Sequence, residues 1–171
     1  MAEERMLITG GNPLEGICPI HGSKNSALPI LAACGVEACP LPTAVLSTHT
    51  GGFGKPAVVH MDHALEGMWQ HWKENGIPFD AILVGYLGSV SAIEVAERIL
   101  SAMLAPDGIS IVDPAMADHG KLYSGFDESY AQAMEGLCRK ADIILPNVTE
   151  AAMFSGFPYC EQLTEVYVRE L

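Results

Sequence analysis

From about residue 40 onward, four short apolar runs alternate with helical patterns: AVLS at 44–47, DAILVG at 80–85, ISIVD at 109–113 and DIILP at 142–146. Runs this short and this apolar read as strands buried on both faces. Between the first two lies DHALEGMWQHWKENG, where Leu65, Met68, Trp69 and Trp72 fall at helical spacing, Asp62 is a candidate N-cap and Gly76 a stop. Between the next two lies SAIEVAERILSAML, with a stripe of Ile93, Ala96, Leu100 and Met103 and a candidate capping box of Ser91 and Glu94. A third helix is expected after Asp127, using Tyr130, Met134 and Leu137, and a fourth from Val148 to Ser155, ending at Gly156. Strand–helix alternation repeated in this way demands a parallel α/β sheet with right-handed crossovers. The first 26 residues break the pattern: they are rich in Gly and Pro and show no convincing long strand.

At 171 residues the chain can bury one substantial core. A net charge of −12 with nine Lys and Arg excludes a basic nucleic-acid or anionic-membrane surface. Any phosphate site must then rely on backbone N–H groups and metal ions. The five cysteines are scattered without a CxxC pair, which fits free thiols in a reducing compartment rather than zinc or disulfides. The acidic start MAEER and the lack of an apolar run of membrane-spanning length set the expectation of a cytoplasmic protein.

In a parallel sheet, ligands bind beyond the carboxyl ends of the strands. After the first run comes Ser47-Thr48-His49-Thr50-Gly51-Gly52-Phe53, hydroxyls, an imidazole and glycines suited to a polar aromatic ligand or to an ordinary polar loop. Tyr86 follows the second run and could cover a ligand ring or fill the core. After the third run stand Asp113 and Asp118, with Tyr123 behind them. Two hard carboxylates there suit Mg²⁺ carrying nucleotide phosphates, or else are turn residues. After the fourth run, Asn147 and Glu150 form a plausible capping pair that could also sit beside a metal–phosphate cluster. His60 and His63 lack a third ligand partner, and a solvated face is their expected place.

Four blocks, GVEACPLPTAVLSTHTGGFGKP at 35–56, FDAILVGYLGS at 79–89, IVDPAMADHGKLYSGFD at 111–127 and ADIILPNVTEAAMFSG at 141–156, together resemble the vitamin B6 (pyridoxal/pyridoxine) kinases of the ribokinase-like superfamily. The resemblance covers about residues 27–171 and implies a partial kinase domain, an α/β parallel sheet flanked by helices. It implies substrate contact by His49, Thr50 and Tyr86, and nucleotide-phosphate contact by Asp113, Asp118, Tyr123 and Asn147. Mg²⁺ is expected at Asp118 and Glu150, with ATP as co-substrate. The implied reaction is phosphorylation of the 5′-hydroxymethyl of pyridoxal, pyridoxine or pyridoxamine, with a hydroxymethylpyrimidine kinase or a non-catalytic binding protein as alternatives. A homodimer is among the expected assemblies.

Residues 1–26 depart from that resemblance. ITGGNPLEGICPIHGSKNSALPILAA resembles the amino terminus of UDP-N-acetylglucosamine enolpyruvyl transferases, whose Lys-Asn pair falls on Lys24 and Asn25. The two resemblances overlap at the ALPIL-like segment, 27–33. No GxGD sequence is present, so no catalytic residue is assigned, the C-terminal part of the fold is expected to be missing, and the chain as written is expected not to turn over.

Overall fold

The computed structural model describes residues 5–13, 23–48 and 57–171. A six-stranded sheet runs in the order β3-β2-β1-β4-β5-β8. Its strands are β1 (Arg5–Pro13), β2 (Glu37–Leu46), β3 (Val58–His60), β4 (Phe79–Val84), β5 (Leu104–Val112) and β8 (Ile143–Ile144). All neighbours pair in parallel except β3, which is antiparallel to β2 at one edge. The expected parallel α/β architecture is therefore present. A separate antiparallel hairpin of β6 (Ala117–Asp118) and β7 (Lys121–Leu122) sits beyond the end of β5.

The helices are α1 (Ser23–Ala33), α2 (Asp62–Glu74), α3 (Val90–Met103), α4 (Glu128–Cys138), α5 (Val148–Ser155) and α6 (Glu165–Glu170). The stripe on α3 is buried throughout, and Leu65, Trp69, Tyr130, Met134 and Leu137 join it against Leu7, Ile82, Val84 and Val112 of the sheet. Met68 is the exception in the α2 pattern, at 37% exposure on the edge of its stripe. No helix among the described residues is long and apolar enough to cross a membrane.

The N-terminal reading requires correction. Residues 5–13 form a nine-residue strand at the centre of the sheet, paired with β2 on one side and β4 on the other. Met6 to Thr9 is a short β-forming run, and the Gly-Gly-Asn-Pro that follows hides it from a periodicity reading. The register with β2 slips between Gly10 and Gly11, as expected where glycine permits a bulge. β2 likewise starts seven residues before the expected run. Pro40 and Pro42 obscure its first half, yet they are tolerated because β3 joins the outer side of β2 only from Ala44.

Two caps also move. The N-cap of α2 is Met61, and Asp62 is the first helical residue, its Oδ2 accepting a 3.2 Å hydrogen bond from Ser89 Oγ. The N-cap of α3 is Ser89, whose Oγ accepts from Ala92 N at 3.0 Å, whereas Ser91 and Glu94 are exposed. Asp127 and Asn147 cap α4 and α5 as the sequence implies, and Gly156 closes α5 at φ 74°. The expectation that every strand is buried on both faces fails at β8. Ile143, Ile144 and Leu145 are 45%, 42% and 54% exposed because, among the described residues, β8 lies at the edge of the sheet and pairs with β5 alone.

Candidate functional site

The parallel strands β2, β4, β5 and β8 all point their carboxyl ends to one edge, and the candidate residues follow them there. Two backbone bonds past the strand ends hold the connecting loops together: Asp113 N–H donates to Val84 O at 2.8 Å, and Leu145 N–H to Val112 O at 2.9 Å.

Beyond the end of β5, the β6–β7 hairpin turns through His119 and Gly120, both at positive φ (50° and 74°), the backbone that a two-residue type I′ turn requires. Gly120 is also closely approached, since a Cβ there would lie 2.7 Å from Tyr159 Cδ1. The turn displays Asp118, whose side chain is 55% exposed, with Oδ1 accepting from His119 N at 2.8 Å. Thr149, buried at 2% exposure, accepts from Gly120 N at 3.1 Å and ties the hairpin to α5.

Beneath the hairpin lies Glu150, 1% exposed. Its Oε1 accepts from Met116 N at 2.8 Å and Ala117 N at 3.2 Å, and its Oε2 accepts from Asn147 N at 2.9 Å. Asn147 completes a capping box: Oδ1 accepts from Glu150 N at 3.0 Å, and Nδ2 donates to Ala117 O at 2.7 Å. Burial raises the Glu150 carboxyl above its ordinary range, with Asp113 adding repulsion, against the opposing pull of the three N–H donors. The carboxylate thus sews α5 to the loop after β5.

Tyr123 gathers the acidic residues. Its N–H donates to Met116 O at 2.8 Å. Its phenol is raised first by burial and then by the charges of Glu150, Asp118 and Asp113, so all three carboxylates lie within electrostatic reach of one hydroxyl. The structure therefore brings together the five residues expected on the phosphate side. Among the described residues, no group of three or more His, Cys, Asp or Glu forms a metal cluster. The donors fit Mg²⁺ in part: exposed Asp118 retains lone pairs, whereas direct coordination by Glu150 would compete with its three N–H bonds. Mg²⁺ commonly takes one or two carboxylates and fills its shell with water and phosphate.

On the opposite side stands Tyr86, half-buried, with its phenol raised by burial. Thr43 Oγ1 donates to Tyr86 O at 2.9 Å, fixing the backbone after β4. Gly88, at φ 83°, leaves room beside the ring: a Cβ there would lie 3.2 Å from Tyr86 Cε1 and 3.5 Å from His60 Cε1. Phe126 packs on Tyr86 at 5.6 Å between centroids, stacks on Tyr130 at 3.7 Å and lies 6.4 Å from Tyr123. Sequence reasoning missed Phe126, whereas His60 is solvent-exposed as expected. The place of Phe126 immediately before the Asp127 cap, with Tyr130 in the first turn of α4, could have flagged an apolar contact across the helix start. Nothing in the sequence placed His60 beside Tyr86. His49 and Thr50 lie outside the described residues, as do the side chains of Lys24 and Asn25, although the base of the segment carrying His49 and Thr50 is pinned by Ser47–Ala57 hydrogen bonds of 2.9 Å.

No family model matches the chain. A pyridoxal kinase from Lactobacillus plantarum is 38% identical, with a TM-score of 0.82 over 98% of this chain and 58% of that one. A protein from Bacteroides thetaiotaomicron assigned as a phosphomethylpyrimidine kinase, in a crystal form with pyridoxal, is 32% identical, with a TM-score of 0.88 over 98% of this chain and 57% of that one. A pyridoxal kinase from Leishmania donovani in complex with ADP and pyridoxamine, 22% identical with a TM-score of 0.75, shares the fold. A curated UDP-N-acetylglucosamine 1-carboxyvinyltransferase from Methylacidiphilum infernorum is 73% identical over 30 residues, 18% of this chain and 7% of that protein. The chain thus spans less than two thirds of each of these proteins. It has the ribokinase-like fold and is similar, over nearly its whole described sheet, to the pyridoxal and phosphomethylpyrimidine kinases.

Proposed function

We propose that the chain supplies the ring wall and the phosphate loop of an ATP-dependent kinase acting on the 5′-hydroxymethyl of a B6 vitamer in the cytoplasm. The observation that carries this reading is that Glu150 and Asn147 bind the Met116–Ala117 backbone beneath the turn that displays Asp118, with Tyr123 bonded to Met116 O and Tyr86 joined to the same segment through Phe126. Phosphoryl transfer depends mainly on positioning and charge stabilisation. In a chain of net charge −12, the nucleotide's phosphates need a cation to approach these carboxylates. Asp118 would hold Mg²⁺ directly, and Glu150 would act through water and through the loop it anchors. Mg²⁺, when bound, would neutralise phosphate charge. Asn147 and Tyr123 would line the nucleotide, while Tyr86, with His49 and Thr50, would take the pyridine ring. None of the described residues is assigned as the base that deprotonates the acceptor hydroxyl.

A hydroxymethylpyrimidine is the second reading, suggested by the phosphomethylpyrimidine kinase assignment of the Bacteroides protein, although its crystal form is one with pyridoxal. Both substrates are flat heteroaromatic rings with a primary alcohol, and a tyrosine face suits either.

The phosphate side is tested by thermal melting. Mg-ATP is expected to raise the melting temperature more than ATP with EDTA, since only a ligand of the native state stabilises it. In Asp118→Asn that difference is expected to vanish. An unchanged shift in the variant would return Asp118 to the role of a turn residue.

A further inference from the structure

We infer that Phe126 is a positioning residue that fixes the ring of Tyr86 for its ligand and ties that ring to the phosphate loop. The inference rests on the reading of Tyr86 as a ring contact and adds a residue to it. Phe126 lies at the end of the irregular segment between β7 and α4, one residue before the α4 cap Asp127. Its ring is stacked on Tyr130 with 6° between planes, and Tyr130 is 3% exposed in the first turn of α4, packed in the core. From that fixed platform Phe126 meets Tyr86 at 32° and Tyr123 at 42°. Gly88, which has no side chain, borders the Cε1 edge of the Tyr86 ring, and the exposed His60 lies close to the same glycine.

The geometry has a consequence. Phe126 touches the tyrosine of the ring wall and the tyrosine beside the three carboxylates, so a shift of the β7–α4 segment must move or release Tyr86. The aromatic cluster is therefore a side-chain connection between the two halves of the site, beside the Asp113–Val84 backbone bond. Its loss should weaken the ring ligand, whereas the nucleotide side retains the Glu150 and Thr149 anchors.

The test uses the full chain with Phe126→Leu, Phe126→Ala and Phe126→Tyr. Pyridoxal affinity is expected to fall roughly two- to tenfold in the Leu and Ala variants, the worth of one aromatic pair, and to recover in Phe126→Tyr. The Mg-ATP melting shift is expected to stay as in the wild type. A second readout needs no ligand: the alkaline titration of Tyr86, taken as wild type minus Tyr86→Phe, should move down toward the ordinary phenol value when Phe126→Leu opens the ring to water. Unchanged affinity together with an unchanged Tyr86 titration in a folded Phe126→Leu variant would overturn the inference, as would equal loss in Phe126→Tyr. A wild type that binds no pyridoxal would remove the vitamer reading, and the titration alone would then decide whether Phe126 governs Tyr86.

Discussion

At the scale of single residues, Glu150 shows how one side chain can answer two questions. Its spacing from Asn147 fits both a capping box and a metal site, and the structure shows the capping box plus two hydrogen bonds reaching 33 and 34 residues back along the chain. Those distant donors were invisible in the sequence because backbone N–H groups of a loop carry no residue signature. Glu150→Gln keeps one acceptor but turns an NH₂ toward Asn147 N–H or the Met116–Ala117 pair, so the variant is expected to lose about 1–3 kcal/mol in denaturant melts. The pH dependence follows from the sign of the shift. A carboxyl raised in the folded state contributes most below its ordinary value, about pH 4, and that contribution is lost as pH rises through the folded value. Stability of the wild type relative to Glu150→Gln should therefore decline as pH rises above about 4. A flat difference across that range would mean that the folded protein leaves this carboxyl unperturbed.

At the scale of elements, sequence reading succeeded where a segment has one strong period and failed where special residues interrupt it. The stripe of α3 and the triplet Tyr130, Met134, Leu137 of α4 are buried as expected, because an amphipathic helix broadcasts its core face. β1 and the first half of β2 were missed because Gly-Gly-Asn-Pro and two prolines mimic loop composition, while tertiary pairing overrides that local preference. The α3 cap was misplaced by two residues, since Ser89 and Ser91 are equally good caps in sequence and only the path of the chain from Gly88 selects the first. Ser89→Ala is accordingly expected to cost about 1 kcal/mol, and Ser91→Ala close to nothing, in matched unfolding curves. Equal losses would show that the helix start is shared between them. Gly120→Ala should be costlier than either, because it meets both a positive φ and the ring of Tyr159.

At the scale of the whole molecule, the parallel sheet and the loops at its carboxyl edge were legible, and Asp118, Tyr123, Asn147 and Glu150 do lie together in the segments that follow β5 and β8. What could not be read was the exposed flank, where β8 presents apolar side chains on both faces and Met153, Phe157 and Val166 are also exposed. Periodicity reports that a run is apolar and says nothing about whether a neighbour covers it. An apolar edge strand of this kind favours association, so Ile144→Lys is expected to reduce concentration-dependent assembly in light scattering without lowering the melting temperature. Persistent assembly in that variant would place the contact elsewhere. The central claim is that the strand-end loops form one site for a pyridine-type ring beside a metal–nucleotide. Its most direct test is calorimetric titration of the wild type and Tyr86→Ala with pyridoxal and with a hydroxymethylpyrimidine, each in the presence of Mg²⁺ and a non-hydrolysable ATP analogue. The account predicts saturable pyridoxal binding, tighter than that of the pyrimidine and weakened at least several-fold in Tyr86→Ala, as for loss of an aromatic contact of about 1 kcal/mol or more. Absence of pyridoxal binding, or binding indifferent to Tyr86→Ala, would contradict it.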